Sequence, residues 1–486
     1  MTRVWRRIAA HEWRIMRTDG LVWPLALLLA TTVAWGLYSG LQSRTVVMAG
    51  ITSAQSDESQ RYSRLQEQLA RRDAAIARGD SQIPADPRSA STLAGRTGSR
   101  AAVLPPTPTA LLSVGQSDLL PSALRVSSEP REQMLAAAEI ENPHRLLDGR
   151  FDLSFVVVYL LPLVVITLAF NLLAGEREHG TLALLLAQPV SLTQVVSAKV
   201  VVRFGFVLAV SLAMVGAGVL IAGLGEGPAG AGWRLAGWTV TVLVYVAFWF
   251  AVSLLMASRG WSSATTALAT AAVWLAAVVV IPSLTNLIIN ATYPVPSRVE
   301  LVQATREASD SASTRGSVLL AQFFEDHPEM APVVAPGQPA APNFAATRVA
   351  VASEVARMTE PVARRYDEQL ARQQQAASWF KFLSPALLAR EALDDFAGTG
   401  PHRHADFRAQ VDRFHATWLE YFNPRIVQRA ALASFDDVPA FTYTEESAGR
   451  VLGRAGTALT ALALLAGLCG LVGLRRLRTY PLTHSI

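Results

Sequence analysis

Cysteine is almost missing from this 486-residue chain. Cys469 is the only one, so no disulfide can form within the sequence, and whatever folds outside a membrane must be held by burial. Lysine is nearly as scarce: apart from Lys199 and Lys381 the positive charge is arginine. The formal net charge of +5 is spread over the flanks of apolar runs and two long polar stretches, without the aromatic-interleaved patch that nucleic acid would need. No nucleic-acid partner is expected. The phosphate loop G-x-x-x-x-G-K-[ST] is absent too, since AGRTGSR lacks both the lysine and the strand context. A G-x-S-x-G nucleophile elbow is likewise missing, and HEWRI at His11 puts Ile15 where a zinc protease carries its second histidine. No catalytic residue is assigned. Charge of either sign is also low, with 17% charged against 51% hydrophobic residues and a mean hydropathy of +0.29. That balance excludes an ordinary soluble protein of this size.

What is present is a set of six apolar runs long enough to cross a bilayer: Leu21–Tyr38, Phe155–Ala174, Val200–Leu224, Leu235–Ala257, Ala264–Ile289 and Val451–Leu474. The first follows a basic start but has no convincing small-residue cleavage site, so it is predicted to be a retained anchor. Short basic flanks set the orientation. Arg3, Arg6, Arg7, Arg14 and Arg17 precede the first run, Arg177 and Lys199 lie between the second and third, Arg259 between the fourth and fifth, and Arg475, Arg476 and Arg478 after the sixth. These segments alternate consistently and are predicted to be cytoplasmic. More than half of the chain then falls outside, in segments 39–153, 225–234 and 290–450, the first and third far longer than connections need to be.

The first outer segment carries Leu65, Leu69 and Ile76 at near-helical spacing without internal proline up to Gly79, which predicts that the first span's helix extends outward. Pro84 to Pro130, rich in Pro, Ser, Thr and Gly, reads as a loop, with a helical return over 131–141. In the second outer segment Val299–Phe324 and Ala345–Ala377 read as two helices separated by the breaker run HPEMAPVVAPGQPAAPN. Two shorter helices follow, with Ser384 and Gly398 as start and stop signals. The predicted fold class is an all-α membrane protein, with six transmembrane helices and a mostly helical outer domain built from both insertions.

The second apolar run ends in GEREHGTLALLLAQPVS, which joins charged residues at the membrane surface to a glycine that permits a turn, a threonine able to cap a short helix, and apolar residues able to face a groove. Any cytoplasmic loop of a membrane protein could contain a Glu-Arg pair and a short helix. Gly175, Glu176, Arg177, Glu178, Gly180, Thr181, Leu182, Leu185, Pro189 and Lys199 together nevertheless resemble the signature of the ABC-2 type permeases, the membrane subunits of ATP-binding-cassette exporters. The resemblance implies that Gly175 to Pro189 forms the coupling helix that docks on the ATPase, and that VWRRIAAHEWRIMR is the interfacial elbow helix. The chain would then read as elbow helix 1–20, first span 21–38, extracytoplasmic insertion 39–153, second span 154–174, coupling segment 175–199, spans three to five 200–289, second insertion 290–450, last span 451–474 and cytoplasmic tail 475–486. The two large insertions depart from ordinary members, whose outer loops are short.

With no phosphate loop of its own, the chain implies a separate cytoplasmic ABC ATPase that carries the ATP and Mg, and a second permease copy or homologous permease facing it in the bacterial cytoplasmic (inner) membrane. The leading reading is a permease subunit of an exporter. The alternative is an ATP-driven mechanotransmitting scaffold acting on a periplasmic or envelope partner. A membrane-anchored enzyme or metal-handling domain is a third reading. It would rest on His402, His404, Asp406 and His415, which cluster in one outer stretch but which helix-end surface histidines explain without a metal. Within the spans Asn171 and Asn286 could hydrogen-bond between helices or touch a substrate, whereas Arg203 and Arg454 lie near predicted span ends, where snorkelling explains them.

Overall fold

A computed structural model describes residues 2–115, 117, 120–131, 133–134, 151–221, 231–295, 297–328 and 343–480. The architecture is all-α, with six helices long and apolar enough to cross a membrane: within Val22–Arg78, and over Leu153–Glu178, Leu192–Gly218, Gly232–Ala257, Ser263–Thr292 and Ala448–Thr479. The first is part of a 57-residue helix, about 85 Å long at a rise of about 1.5 Å per residue. Its apolar part belongs to the bundle and its polar part stands beyond it. The helix stops at Gly79, whose φ of 71° lets its N–H return to the Ile76 carbonyl at 3.0 Å, a left-handed cap that a side chain would strain.

Spans two and five each loosen into a π turn just before a proline, at Val156–Leu160 before Pro162 and at Leu275–Val280 before Pro282. Proline has no N–H, so carbonyls one turn earlier lose their helical donor. Side chains from other elements replace it. Tyr245 Oη of span four donates to the Val158 carbonyl at 2.9 Å, and Ser384 Oγ donates to the Ala277 carbonyl at 2.7 Å.

Ser384 also begins the helix Pro385–Ala397, accepting from the Ala386 and Leu387 N–H groups. The sequence reading counts this helix with the outer layer, but the structure packs it inside the bundle. Leu388, Leu393 and Phe396 share one core with Val158 and Val165 of span two, Trp238, Tyr245 and Trp249 of span four, and Ala455 and Leu462 of span six. Gly237 is what admits Phe396, because a Cβ at 237 would lie 2.1 Å from the ring. Since Ala277 lies 15 residues before Thr292, the end of span five beside the descending helix, the tip of this helix reaches about 22 Å along that span. The preceding helix, Phe344–Phe380, descends beside span five, where Gln373 Nε2 donates to Asn290 Oδ1 at 3.0 Å. The two helices thus form a re-entrant hairpin. Lys381 and Glu391 pair across its turn at 2.6 Å, and Trp379 is 71% exposed there.

A second core, above the bundle, gathers Leu65 of the long first helix, Leu93, Val126, Phe407, Trp418 and Phe422. The stretch read as loop between Pro84 and Pro130 contains an antiparallel two-stranded hairpin, Arg100–Val103 with Ala123–Val126. Four-residue strands of such small and mixed composition leave little period-2 signal to read. The helix predicted over 299–324 is two, Arg298–Thr314 and Gly316–Asp326, folded against Phe344–Phe380 through Ala308, Ala312, Leu319 and Val355. The helical return at 131–141, most of the connection at 225–234 and the proline-rich run at 329–342 lie wholly or largely outside the described residues.

Candidate functional site: the elbow at Gly180

After span two the chain makes two short helices, Ala174–Glu178 and Thr181–Leu186, at the end of the bundle that carries both termini. Gly180 joins them with φ 72°, a conformation that glycine adopts without a Cβ penalty. Thr181 does not occupy the cap position that its sequence context suggests. It is the first residue of the second helix, and its hydroxyl donates back to the Glu176 carbonyl at 3.1 Å, closing the elbow.

The charged residues of the motif turn inward. Glu176 accepts from Lys199 Nζ at 2.8 Å, and the same ammonium donates to the Leu172 carbonyl at 3.0 Å, so the start of span three is tied to the end of span two. Arg177, buried, donates to the Gly260 carbonyl between spans four and five. Glu178 accepts from the Ser263 N–H at 2.7 Å and from its hydroxyl at 2.8 Å, which also reaches Asn171 Oδ1 at 3.2 Å. Asn171 folds over Gly175, where a Cβ would stand 2.2 Å from Oδ1. Asn171 therefore does link two helices, at the elbow. Asn286 instead accepts from Asn290 of its own helix at 3.2 Å.

Apolar burial completes the fastening. Leu182 is fully buried with Leu173, Val196, Leu254, Leu477 and Tyr480, while Leu185 is half-buried. The opposite side of the elbow is bare: Leu184 is 73% exposed, flanked by the exposed Thr181, Ala187 and Pro189. The motif is thus divided into a charged part that grips spans three and five and a short apolar helix whose inner side is buried at Leu182 and whose outer side is bare at Leu184.

Beside the elbow, the amphipathic helix Thr2–Thr18 packs on span three. Arg203 Nε donates to the buried Glu12 at 2.8 Å, and a second guanidinium nitrogen donates to the Leu168 carbonyl. Arg203 is therefore ion-paired rather than snorkelling, and Arg454 pairs with Glu446 at 2.7 Å and with Asp395 at 3.5 Å. Nothing in a single sequence marks Glu12 or Ser263 as partners of residues many positions away. Among the histidines, His404 and His415 turn a ring nitrogen to the carbonyls of Pro121 and Glu129 at 3.1 and 3.0 Å. Burial lowers the His404 pKa. No group of three metal-ligating side chains gathers among the described residues.

Six apolar helices with a charged elbow clamped at their end define a polytopic membrane protein. Residues 135–293, which hold spans two to five and the elbow, match the family described as ABC-2 family transporter protein, and residues 298–444 match a domain of unknown function, DUF3526. The chain therefore carries an ABC-2 family transporter domain, consistent with an ABC-2 type permease. Among curated proteins none matches it.

Proposed function

We propose that this permease is the membrane half of an ATP-driven exporter of the bacterial cytoplasmic membrane. Both termini and the Gly180 elbow face the cytoplasm, and helix Thr181–Leu186 docks on a separate ABC ATPase that holds the ATP and Mg. The observation that carries this reading is the division of the elbow. A push on the exposed Leu184 is delivered through Glu176, Arg177 and Glu178 to Lys199, Gly260 and Ser263, at the feet of spans three to five. A second permease, identical or homologous, faces this one, and the spans move as rigid bodies when the ATPases close.

The test is copurification from membranes in mild detergent, with vanadate-sensitive ATP hydrolysis as the readout. Leu184→Glu leaves every contact described for the elbow in place but puts a charge in the apolar docking face. It is expected to lose the ATPase subunit while the permease itself keeps its melting temperature. Retention of a stoichiometric, coupled ATPase by Leu184→Glu would refute docking through this face.

A second reading, in which ATP hydrolysis reshapes the outer domain to act on an envelope partner, is favoured by one feature. The 57-residue helix and the re-entrant hairpin belong to both layers at once, so motion of the spans is transmitted above them. Replacing residues 298–342 by a flexible linker of about 25 residues, long enough to run back along helix Phe344–Phe380, separates the two readings. Loss of cellular function with coupled hydrolysis and transport intact supports the scaffold, and loss of transport supports the exporter.

A further inference from the structure

A pocket lies where the long first helix leaves the bundle, roofed by the first insertion and closed at the back by the start of helix Pro401–Val427. It is lined by Ser43, Arg44 and Val47 on the first helix, Leu104 and Pro106 on the insertion, and Thr399 before the second helix. Its volume is about 40 Å³, room for roughly three waters at about 10–15 Å³ each, or for one tetrahedral anion.

Four observations give the ligand a chemistry. Ser43 is only 5% exposed, lines the pocket, and its hydroxyl has no hydrogen-bond partner among the described residues. Arg44 also has no hydrogen-bond or ion-pair partner among the described residues. The 27-residue helix Pro401–Val427 starts at the pocket with Gly400 as its cap position, which offers no side chain; a helix start favours an anion, and because Asp395 Oδ1 already stands beside Gly400 this start adds to the site without defining it. No described lining residue is acidic, and Arg403, which also lines the pocket, is already held by Glu445 at 2.7 Å and by the Pro105 carbonyl at 2.8 Å. Val47, Leu104, Pro106 and Leu120 give the lining an apolar side, beside the neutral polar groups of Ser117, Ser122 and Thr399. Along the helix Arg44 stands six residues, about 9 Å, beyond Tyr38, which with Trp35 forms an exposed aromatic pair of the kind that marks a membrane surface.

From this geometry we infer that the pocket binds a phosphate-type anionic group carried on an apolar body, at the outer face of the membrane, with Arg44 and Ser43 as its ligands. The outer placement rests on the topology proposed above, whereas the chemistry of the pocket does not.

The full-length protein in detergent is exposed to vesicles of phosphatidylglycerol and phosphatidylcholine, and retained lipid is read by native mass spectrometry. Inorganic phosphate, read by thermal shift, forms a parallel arm. Wild type is expected to retain phosphatidylglycerol over phosphatidylcholine, Arg44→Gln to retain about tenfold less, as loss of one charge-assisted hydrogen bond implies, and Ser43→Val to fall between them. Stabilisation by inorganic phosphate alone, lost in Arg44→Gln, would identify a free anion as the source. Equal retention and equal stabilisation across all three proteins would overturn the site. Because Arg44 has no partner among the described residues, Arg44→Gln is expected to keep the fold, which its melting temperature checks. Topology is read separately. In a Cys469→Ala background, Thr45→Cys should react with a membrane-impermeant maleimide in intact cells. Reaction only after lysis would overturn the outer placement while leaving the lipid arm to report on the pocket.

Discussion

Lys199→Met tests the elbow most directly. The ammonium is almost wholly buried, with its side chain 7% exposed against 24% for Glu176, and it holds two oxygens, Glu176 Oε1 and the Leu172 carbonyl. Methionine keeps the length of the stem and removes only the charge and its donors. Glu176 is then left with a largely buried carboxylate and no cation, and its other oxygen already lacks a partner. Removing one member of a buried pair costs about 3–5 kcal/mol, and the residual exposure of Glu176 puts the expectation near the lower end, about 3 kcal/mol. Glu176→Gln alone should cost less, and the double variant should be milder than the sum of the two, because neither partner remains charged. A thiol-reactive dye supplies the assay: Cys469 lies half-buried in the last span and is the only thiol in the sequence, so its labelling on heating reports opening of the bundle. If the elbow transmits force, Lys199→Met should also uncouple ATP hydrolysis at temperatures where the bundle is still closed. A melting temperature within error of wild type, or strict additivity in the double variant, would refute the latch.

Two further outcomes follow from the bundle. Tyr245→Phe removes, among the described residues, the donor to the Val158 carbonyl that comes from outside span two and should lower stability by about 1–3 kcal/mol, measured by the same labelling; no change would mean that the π turn satisfies itself. Asp394, in the re-entrant hairpin, is pushed up to about 7, mainly by burial, with Arg390 and Ser113 opposing and Asp152 reinforcing the rise. Its folded value stands above the unfolded one, so the stability linked to its proton is fully present below about pH 4 and is lost as pH rises through about 7, at about 1.4 kcal/mol per pH unit for one proton. Asp394→Asn should therefore gain on wild type in melting temperature between pH 5 and pH 8, and a constant difference across that range would show that Asp394 does not carry the proton.

Much of the plan is legible in the residues themselves. The spans are readable because twenty consecutive apolar side chains have few alternatives to a bilayer, and the outward run of the first helix because 39–78 holds no proline while Gly79 ends it. The re-entrant hairpin was not legible. PALLAREALDDFA carries Arg390, Glu391, Asp394 and Asp395, and four charges in thirteen residues read as a solvated helix. In the structure Lys381, Arg454 and Ser113 engage Glu391, Asp395 and Asp394, while the alanine and leucine face fills the core. The charge count alone cannot show that distant partners neutralise it.

The elbow divides along the same line. Its turn follows from Gly180, and its apolar helix from the run of leucines after Thr181; both are local consequences of backbone freedom and side-chain type. Which of its residues face inward was decided by Lys199, Gly260 and Ser263, brought to it from three other parts of the chain. Local sequence determines which backbone conformations and burial patterns are available, because those depend on neighbours a few residues away. The partner of each charge, and hence which face of the motif stays exposed, is set only when the spans pack, since a buried charge is stable only beside the group that compensates it.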